Sequence, residues 1–330
     1  MGQKTVWSAV CFGTPSFYLT FDFMPNTGNL RNEITADALR QGDFRMVARA
    51  ISLVENAESG SDELLRKLEH RNAPVLGITG PPGAGKSTLV DVLIKQFTAE
   101  GKKLAVLCVD PSSSFHSGAL LGDRIRMNRW HNNPLVYIRS LASRGAVGGL
   151  NPRIFQITDL LAFAGFDYIL IETVGVGQSE LDIAGLADQV LVVLVPESGD
   201  DIQTMKSGIM EIGDIFVVNK SDRPGADQFL MSLKSSTVHQ TTKAGDEIQF
   251  IPTVATEEKG IETLYRAIMD NNHRRTAGSS LKLLTQKAWE LISAYRMRDL
   301  NQEKLRISIE QAMRRPDFNI YRFAESYAGK

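Results

Sequence analysis

Between residues 75 and 254 one pattern recurs: a short run of unbroken apolar residues, then a segment with helical spacing. The runs fall at 75–79, 104–109, 136–138, 168–171, 190–195, 215–218 and 250–251. Continuous rather than alternating apolarity marks strands that are buried on both faces. Helical spacing fills the intervals around 87–100, 151–164, 225–234 and 259–270. Strand and helix taking turns predicts βαβ units, and so an α/β fold with a mostly parallel sheet covered by helices on both faces.

Other regions add helices at both ends. Phe44, Val47, Ile51 and Val54 share one helical face, and Leu64, Leu65 and Leu68 start a second short helix before Pro74. Beyond about residue 272 the strands stop. Leu281, Leu284, Ala288, Leu291 and Tyr295 follow each other at intervals of 3, 4, 3 and 4, a seam along one helix. Leu305, Ile309 and Ala312 suggest another helix, and Pro316 a break before a third. Such a seam either folds back on its own domain or pairs with a second copy, and pairing is the expectation.

The 330 residues suit two domains, or one domain with extensions. We divide them into an extension at 1–30 expected to be disordered, a helical segment at 31–73, a nucleotide-binding domain at 74–273 and a helical dimerisation arm at 274–330. Residues 5–23 are apolar, but Pro15 and Asp22 interrupt them, short of the ~18 apolar residues a membrane span needs. Only Lys4 precedes that stretch, no cleavage site follows it, and the first arginine is Arg31, so neither a secretion signal nor a transit peptide is expected. Met24 is a second candidate start. A net charge of −1, from 37 basic and 38 acidic residues, argues against a nucleic-acid partner held by a broad basic field. Two cysteines, Cys11 and Cys108, exclude a disulfide framework and point to a reducing cytoplasm.

The strongest chemical signal is Gly80-Pro81-Pro82-Gly83-Ala84-Gly85-Lys86-Ser87. It fits G-x-x-x-x-G-K-[ST], follows a predicted strand and opens a predicted helix at Thr88. Such a loop offers backbone N–H groups and a helix N-terminus to phosphates. Lys86 would reach the β- and γ-phosphates, and the Ser87 hydroxyl would ligate Mg²⁺. Asn219-Lys220-Ser221-Asp222 follows another buried strand at the carboxyl edge, where open α/β sheets bind ligands. Asp222 can accept two hydrogen bonds from guanine, whereas adenine lacks that pair of donors. Leaving such an acceptor unpaired costs roughly 1–3 kcal/mol, enough to discriminate between bases. Lys220 would lie along the base plane, and Asn219 would tie the loop down. The expected bound nucleotide is GTP or GDP.

Three carboxylates are candidates for Mg²⁺, which usually takes one or two together with phosphate and water. Asp110 and Glu172 sit at predicted strand ends, and Asp123 follows in a glycine-containing loop. Glu172-Thr173-Val174-Gly175 is similar to the D-x-x-G of GTPases, so the Gly175 N–H could sense the γ-phosphate. Turn or cap roles remain alternatives for Asp110 and Asp123. Gln178 is a candidate for orienting the attacking water. Lys206 is a long cation able to stabilise charge on the transferred group, or else a solvated helix residue. Arg139 and Arg144 flank a loop ending in Gly148-Gly149, which suits either a partner-sensing segment or a solvated face.

Taken in order, GPPGAGKST, VDPSS…LGDRIRM, ETVGVGQSE and NKSD resemble the MeaB/ArgK-type GTPases that associate with methylmalonyl-CoA mutase. The resemblance runs from about residue 31 to the C-terminus, and ETVGVGQSE is its most specific piece. It implies a P-loop G domain with N-terminal helices and a C-terminal dimerisation arm. It further implies a chaperone for an adenosylcobalamin-dependent acyl-CoA mutase that gates cofactor loading without itself binding cobalamin, with weak hydrolysis stimulated by the mutase. By motif, Asp110, Asp123 and Glu172 match the family's acidic positions around Mg²⁺, and Lys206 matches its partner-responsive lysine. Val254-Ala255-Thr256 stands at the guanine-contacting Ser-Ala element, where backbone N–H groups do the work. Ser117-Gly118-Ala119-Leu120 and Arg124-Ile125 depart from the family pattern at the first switch.

Two other functions fit parts of the sequence. A metallochaperone-type GTPase for another metalloenzyme would need clustered soft ligands, whereas His70, His116, His131, His239 and His273 are scattered. An ATP-dependent small-molecule kinase would have no use for the guanine-reading NKSD.

Overall fold

Each of the seven apolar runs forms a strand: β1 (Val75–Thr79), β2 (Leu104–Asp110), β3 (Val136–Ala142), β4 (Tyr168–Thr173), β5 (Gln189–Leu194), β6 (Ile215–Val218) and β7 (Gln249–Pro252). All neighbouring pairs are parallel, in the order β3-β2-β4-β1-β5-β6-β7. The computed structural model describes residues 34–110, 127–143, 150–173, 179–198, 208–236, 241–242, 247–273, 277–297, 300–315 and 317–328. The predicted extension at 1–30 lies outside the described residues. β3 runs four residues past its apolar run, because Arg139 and Ser140 interrupt the apolarity without ending the strand.

The N-terminal helices are α1 (Ala36–Arg40), α2 (Phe44–Glu55) and α3 (Ser61–Arg66). Within the sheet region come α4 (Lys86–Ala99), α5 (Ile154–Phe163), α6 (Ser179–Leu186), α7 (Ile209–Ile212), α8 (Ala226–Ser236) and α9 (Ile261–His273). The C-terminal arm holds α10 (Ala277–Arg296), α11 (Gln302–Ala312) and α12 (Ile320–Ala328). None of the described helices is long and apolar enough to cross a membrane.

Strand residues alternate between two cores, as the pleat requires. Leu104, Val106 and Cys108 join a core with Leu89, Leu93 and Phe97 of α4 and Leu264 and Ile268 of α9. Ala105, Leu107 and Val109 face the opposite core, shared with Ile157 and Leu161 of α5 and with Val47, Ile51 and Val54 of α2. The N-terminal helices therefore bury their apolar face in the same core as α5. Asp43 caps α2 by accepting from the Arg45 N–H at 2.7 Å, a bond of a kind that contributes about 1 kcal/mol. Phe44 follows, with its ring 5.5 Å from Tyr137 and 6.0 Å from Phe166.

β3 is tied to this helical layer by charge. Arg139 pairs with Glu55 at 2.9 Å and donates to Ser52 Oγ at 3.1 Å, both on α2. The two charged side chains are only 18% and 9% exposed, so Arg139 is an internal strut rather than a solvated residue. Arg144, Gly148 and Gly149 lie outside the described residues.

The arm is attached more lightly. Leu291 and Tyr295 of α10 line a cavity of about 460 Å³ against α3 and α5, with Leu65, Leu68 and Arg153 on the far walls. Lys287 reaches across to Asp159 of α5, and its ammonium lies 5.9 Å from the Phe155 ring. Leu281, Leu284, Ala288 and Tyr295 of the seam nevertheless stay exposed, as do Trp289 and Ile292 beside it.

Candidate functional site

The carboxyl ends of β1, β4 and β6 bring the motifs together. β1 occupies the middle of the sheet between β4 and β5, so its C-terminal loop emerges over the centre of the edge. That loop is Gly80 to Gly85, and α4 starts at Lys86. Gly80 has φ +138°, and a Cβ there would stand 2.1 Å from the Val193 carbonyl of β5. Gly85 has φ +91°, and a Cβ there would stand 2.3 Å from Asn219 Nδ2. Only glycine fits both places, because the conformation is left-handed and another chain segment touches the Cα. Pro81 and Ala84 are buried, and Pro82, Gly83 and Thr88 are exposed.

Lys86 is 6% exposed and curls back over the loop, its ammonium donating to the carbonyls of Gly80 at 2.7 Å and Pro81 at 3.0 Å. The lysine thus lies under the loop whose backbone would wrap phosphates. Ser87 donates its hydroxyl to Glu172 Oε1 at 2.6 Å. Glu172 is buried on β4, with Ile78 and Cys108 as its strand neighbours. Thr173 next to it donates to Thr79 Oγ1 at 3.0 Å, which joins the ends of β4 and β1. A hydroxyl and a carboxylate held together at a phosphate loop are the hard oxygen donors that Mg²⁺ takes.

Asn219 bridges three segments. Its Nδ2 donates to the Ala84 carbonyl at 2.8 Å, and its Oδ1 accepts from the Ala255 N–H at 3.1 Å and the Thr253 hydroxyl at 3.2 Å. The loop after β6 is thereby locked to the phosphate loop and to the turn Ala255–Glu257 after β7. Lys220 adopts φ +55° and donates to the Gly83 carbonyl at 2.8 Å, which stretches its aliphatic stem along the space between the loops. The Ser221 N–H donates to the Thr253 carbonyl at 3.0 Å, leaving Asp222 exposed at the rim. Val254 and Ala255 are buried and Thr256 is exposed. Arg223 pairs with Glu197, whose carboxyl is held below its ordinary range by that hydrogen bond.

The structure thus brings together Gly80 to Ser87, Glu172, Asn219, Lys220, Asp222 and Val254 to Thr256. Asp110 ends β2, opposite Ala142 of β3 and beyond the level of Glu172. Asp123, Gly175, Gln178 and Lys206 lie outside the described residues. Among the described residues no three His, Cys, Asp or Glu side chains form a metal-binding group. Asn219 ties its loop down as the sequence led us to expect, whereas its particular partners and the Thr79–Thr173 contact escaped sequence reasoning, since they are far away in the chain. A threonine ending two neighbouring strands was the only hint.

A central phosphate loop after β1, with an N-K-x-D loop locked to it, defines a P-loop NTPase of the guanine-nucleotide class. The chain belongs to the family described as methylmalonyl Co-A mutase-associated GTPase MeaB, whose model matches residues 47–310. It is similar to the GTPase ArgK of Escherichia coli, at 35% identity over 259 residues that cover 76% of this chain and 78% of that one. It is also 35% identical over 264 residues to the fused isobutyryl-CoA mutase of Geobacillus kaustophilus, covering 74% of this chain and 24% of that one. Among solved structures, a LAO/AO transport system kinase superposes with a TM-score of 0.63 at 25% identity, covering 89% of this chain and 95% of that chain. The likeness to the kinase structure supports the fold.

Proposed function

We propose that this GTPase serves as a Mg²⁺-dependent chaperone for an adenosylcobalamin-dependent acyl-CoA mutase of the methylmalonyl-CoA mutase type. The observation that carries the nucleotide half of this reading is the Ser87–Glu172 hydrogen bond at the foot of the phosphate loop, within a cradle braced by Asn219. A relative in which a similar segment is one part of a fused mutase supports the partner half.

In hydrolysis, water attacks the γ-phosphorus, the bond to the β,γ-bridging oxygen breaks, and GDP leaves with that oxygen. Lys86 swings from the loop carbonyls to the β- and γ-phosphates and neutralises charge there, and the N–H groups of residues 83–88 hold the phosphate chain, Pro81 and Pro82 having none to give. Bound Mg²⁺ would supply charge neutralisation at the phosphates, and Ser87 with one or two of the carboxylates of Glu172, Asp110 and Asp123 would hold it. Gly175 senses the γ-phosphate, and Gln178 orients the water. Lys206 stabilises charge on the transferred phosphoryl group once the mutase is engaged. Asp222 reads guanine together with the Thr256 N–H, since the Val254 and Ala255 N–H groups already donate to Lys259 and Asn219. Hydrolysis is slow in the free protein and rises with the mutase, which couples turnover to cofactor delivery. The protein works in the cytoplasm as a homodimer through its C-terminal arm, without binding cobalamin itself.

Steady-state hydrolysis of GTP and ATP, with and without a purified adenosylcobalamin-dependent acyl-CoA mutase, tests this. GTP-selective turnover that rises with the mutase is expected. GTP turnover indifferent to the mutase removes the partner, and equal ATP turnover removes the guanine reading.

A further inference from the structure

Among the described residues other than glycine, three have a left-handed backbone: Ala57, Lys220 and Glu258. That conformation is disfavoured for any residue with a Cβ, and such outliers collect where a ligand is clamped. Two of the three flank the nucleotide edge. Lys220, in the N-K-x-D loop, donates to the Gly83 carbonyl of the phosphate loop. Glu258, with φ +57° and ψ 17°, closes the turn Ala255–Glu257 and aims its carboxylate at α4. There Lys95 donates to both of its oxygens, at 2.7 Å each. Both residues thus use a left-handed backbone to send a charged side chain back to the element that carries the phosphate loop.

The turn is closed by its own backbone. Val254 and Lys259 exchange hydrogen bonds at 3.0 and 3.2 Å, and the Ala255 N–H donates to Asn219. The Thr256 N–H donates to nothing among the described residues, so it is the donor left for a base. On the far flank Lys259 pairs with Glu257 at 2.7 Å. That hydrogen bond first, and the nearby Asp222 carboxylate after it, hold the Lys259 ammonium above the ordinary lysine range, so the turn and Asp222 are neighbours. The turn hangs from two anchors. Asn219 holds its start at Ala255 and reaches on to Ala84, whereas Lys95 holds its end from α4, nine residues past Lys86. Nine residues of helix span about 14 Å, so one rigid rod meets the phosphate loop at its start and the turn further along.

We propose that Glu258 and Lys95 are positioning residues for base recognition: their pair seats the turn so that the Thr256 N–H meets the 6-oxo group of the purine. This rests on the assignment of guanine reading to Asp222 and Thr256. Neither side chain is offered to the nucleotide, since each is engaged by the other. The two are 53% and 41% exposed, and a pair so exposed adds little to overall stability. Its effect is on where the turn sits, so its loss weakens one contact to the base and leaves the phosphate contacts as they were.

The test compares the affinity of the full chain for GDP and for 6-thio-GDP, in which sulfur, a weak acceptor, replaces the 6-oxo oxygen. The unaltered chain is expected to prefer GDP by about tenfold. Glu258→Gly removes the carboxylate and suits the left-handed backbone, so the turn still folds. It should cut the preference to about threefold or less by weakening GDP, with 6-thio-GDP changed less than about twofold. Lys95→Met, at an exposed position on α4, should do the same. Exchanging the charges, with Lys95→Glu and Glu258→Lys together, should restore most of the preference. A preference that stays near tenfold in either single variant overturns the proposal. Equal weakening of both nucleotides overturns it too, since the pair is then merely structural. An exchanged pair no better than the single variants also counts against it, because the ion pair is then not what acts. If the unaltered chain binds GDP and 6-thio-GDP alike, the reading of the base by Thr256 itself fails, and this inference falls with it.

Discussion

The nucleotide-binding edge of the sheet and the C-terminal arm are built on opposite terms. At the edge, polar groups find their partners inside the chain: Lys86 on two carbonyls, Ser87 on Glu172, Asn219 on three segments, Lys220 on Gly83. Along the arm, large apolar groups meet water, with Trp289 at 71% and Ile292 at 51% exposure. A site that must hold a charged ligand at fixed distances benefits from a scaffold finished before the ligand arrives. An arm that leaves large apolar side chains open to water is where the proposed pairing with a second copy would form. The difference teaches that one end of the molecule is finished by its own chain, while the arm leaves apolar side chains that its own chain does not cover.

The comparison can be broken at either end. The largest effect is expected for Lys86→Ala, which should weaken Mg²⁺–nucleotide binding more than about a hundredfold in titration calorimetry, as charge-assisted contacts to phosphate are lost. Retained affinity would remove the phosphate loop from the site. Next in size, Glu55→Ala leaves Arg139 buried and uncompensated. It should cost about 3 kcal/mol in denaturant unfolding, because breaking a buried pair strands one charge. A loss below about 1 kcal/mol would mean that water reaches the strut.

Removal of residues 279–330 sharpens the contrast from the other side. Sedimentation should show a dimer for the full chain and a monomer for the truncated one, with GDP affinity changed less than about threefold, since no described arm residue lines the nucleotide edge. A monomeric full chain would defeat the pairing. The smallest effect is expected for Lys287→Ala, which removes the ion pair between arm and body. Its partner Asp159 is 42% exposed, so a loss within about 1 kcal/mol is expected, and a much larger one would show that the arm is part of the folded core.

How far the sequence could be read follows the same division. β1 and β6 match their apolar runs at both ends, because strands buried on both faces announce themselves locally. The end of β3 did not, since Arg139 looks polar in sequence and is internal only because Glu55 waits on another helix. α6 (Ser179–Leu186) was missed, because its eight residues carry no apolar stripe to distinguish them from a loop. The phosphate loop and NKSD were legible as contiguous motifs whose chemistry needs no partner to be recognised. That Asn219 ties its loop down was legible too, but the anchor it ties to was not, since Asn219 and Ala84 stand 135 residues apart. The seam of α10 was legible as a stripe, but a stripe does not say which surface covers it.

The central claim is that a phosphate loop and a guanine-reading loop form one site, braced through Asn219, with Asp222 choosing the base. The most direct test is the affinity of the protein and of its Asp222→Asn variant for GTP and for xanthosine triphosphate. Xanthine carries a carbonyl where guanine has its amine, so an amide at position 222 can donate where the carboxylate could only accept. The prediction is a reversal, with GTP preferred by the unaltered chain and xanthosine triphosphate by the variant, each by about tenfold or more. An unchanged base preference in the variant would contradict the account.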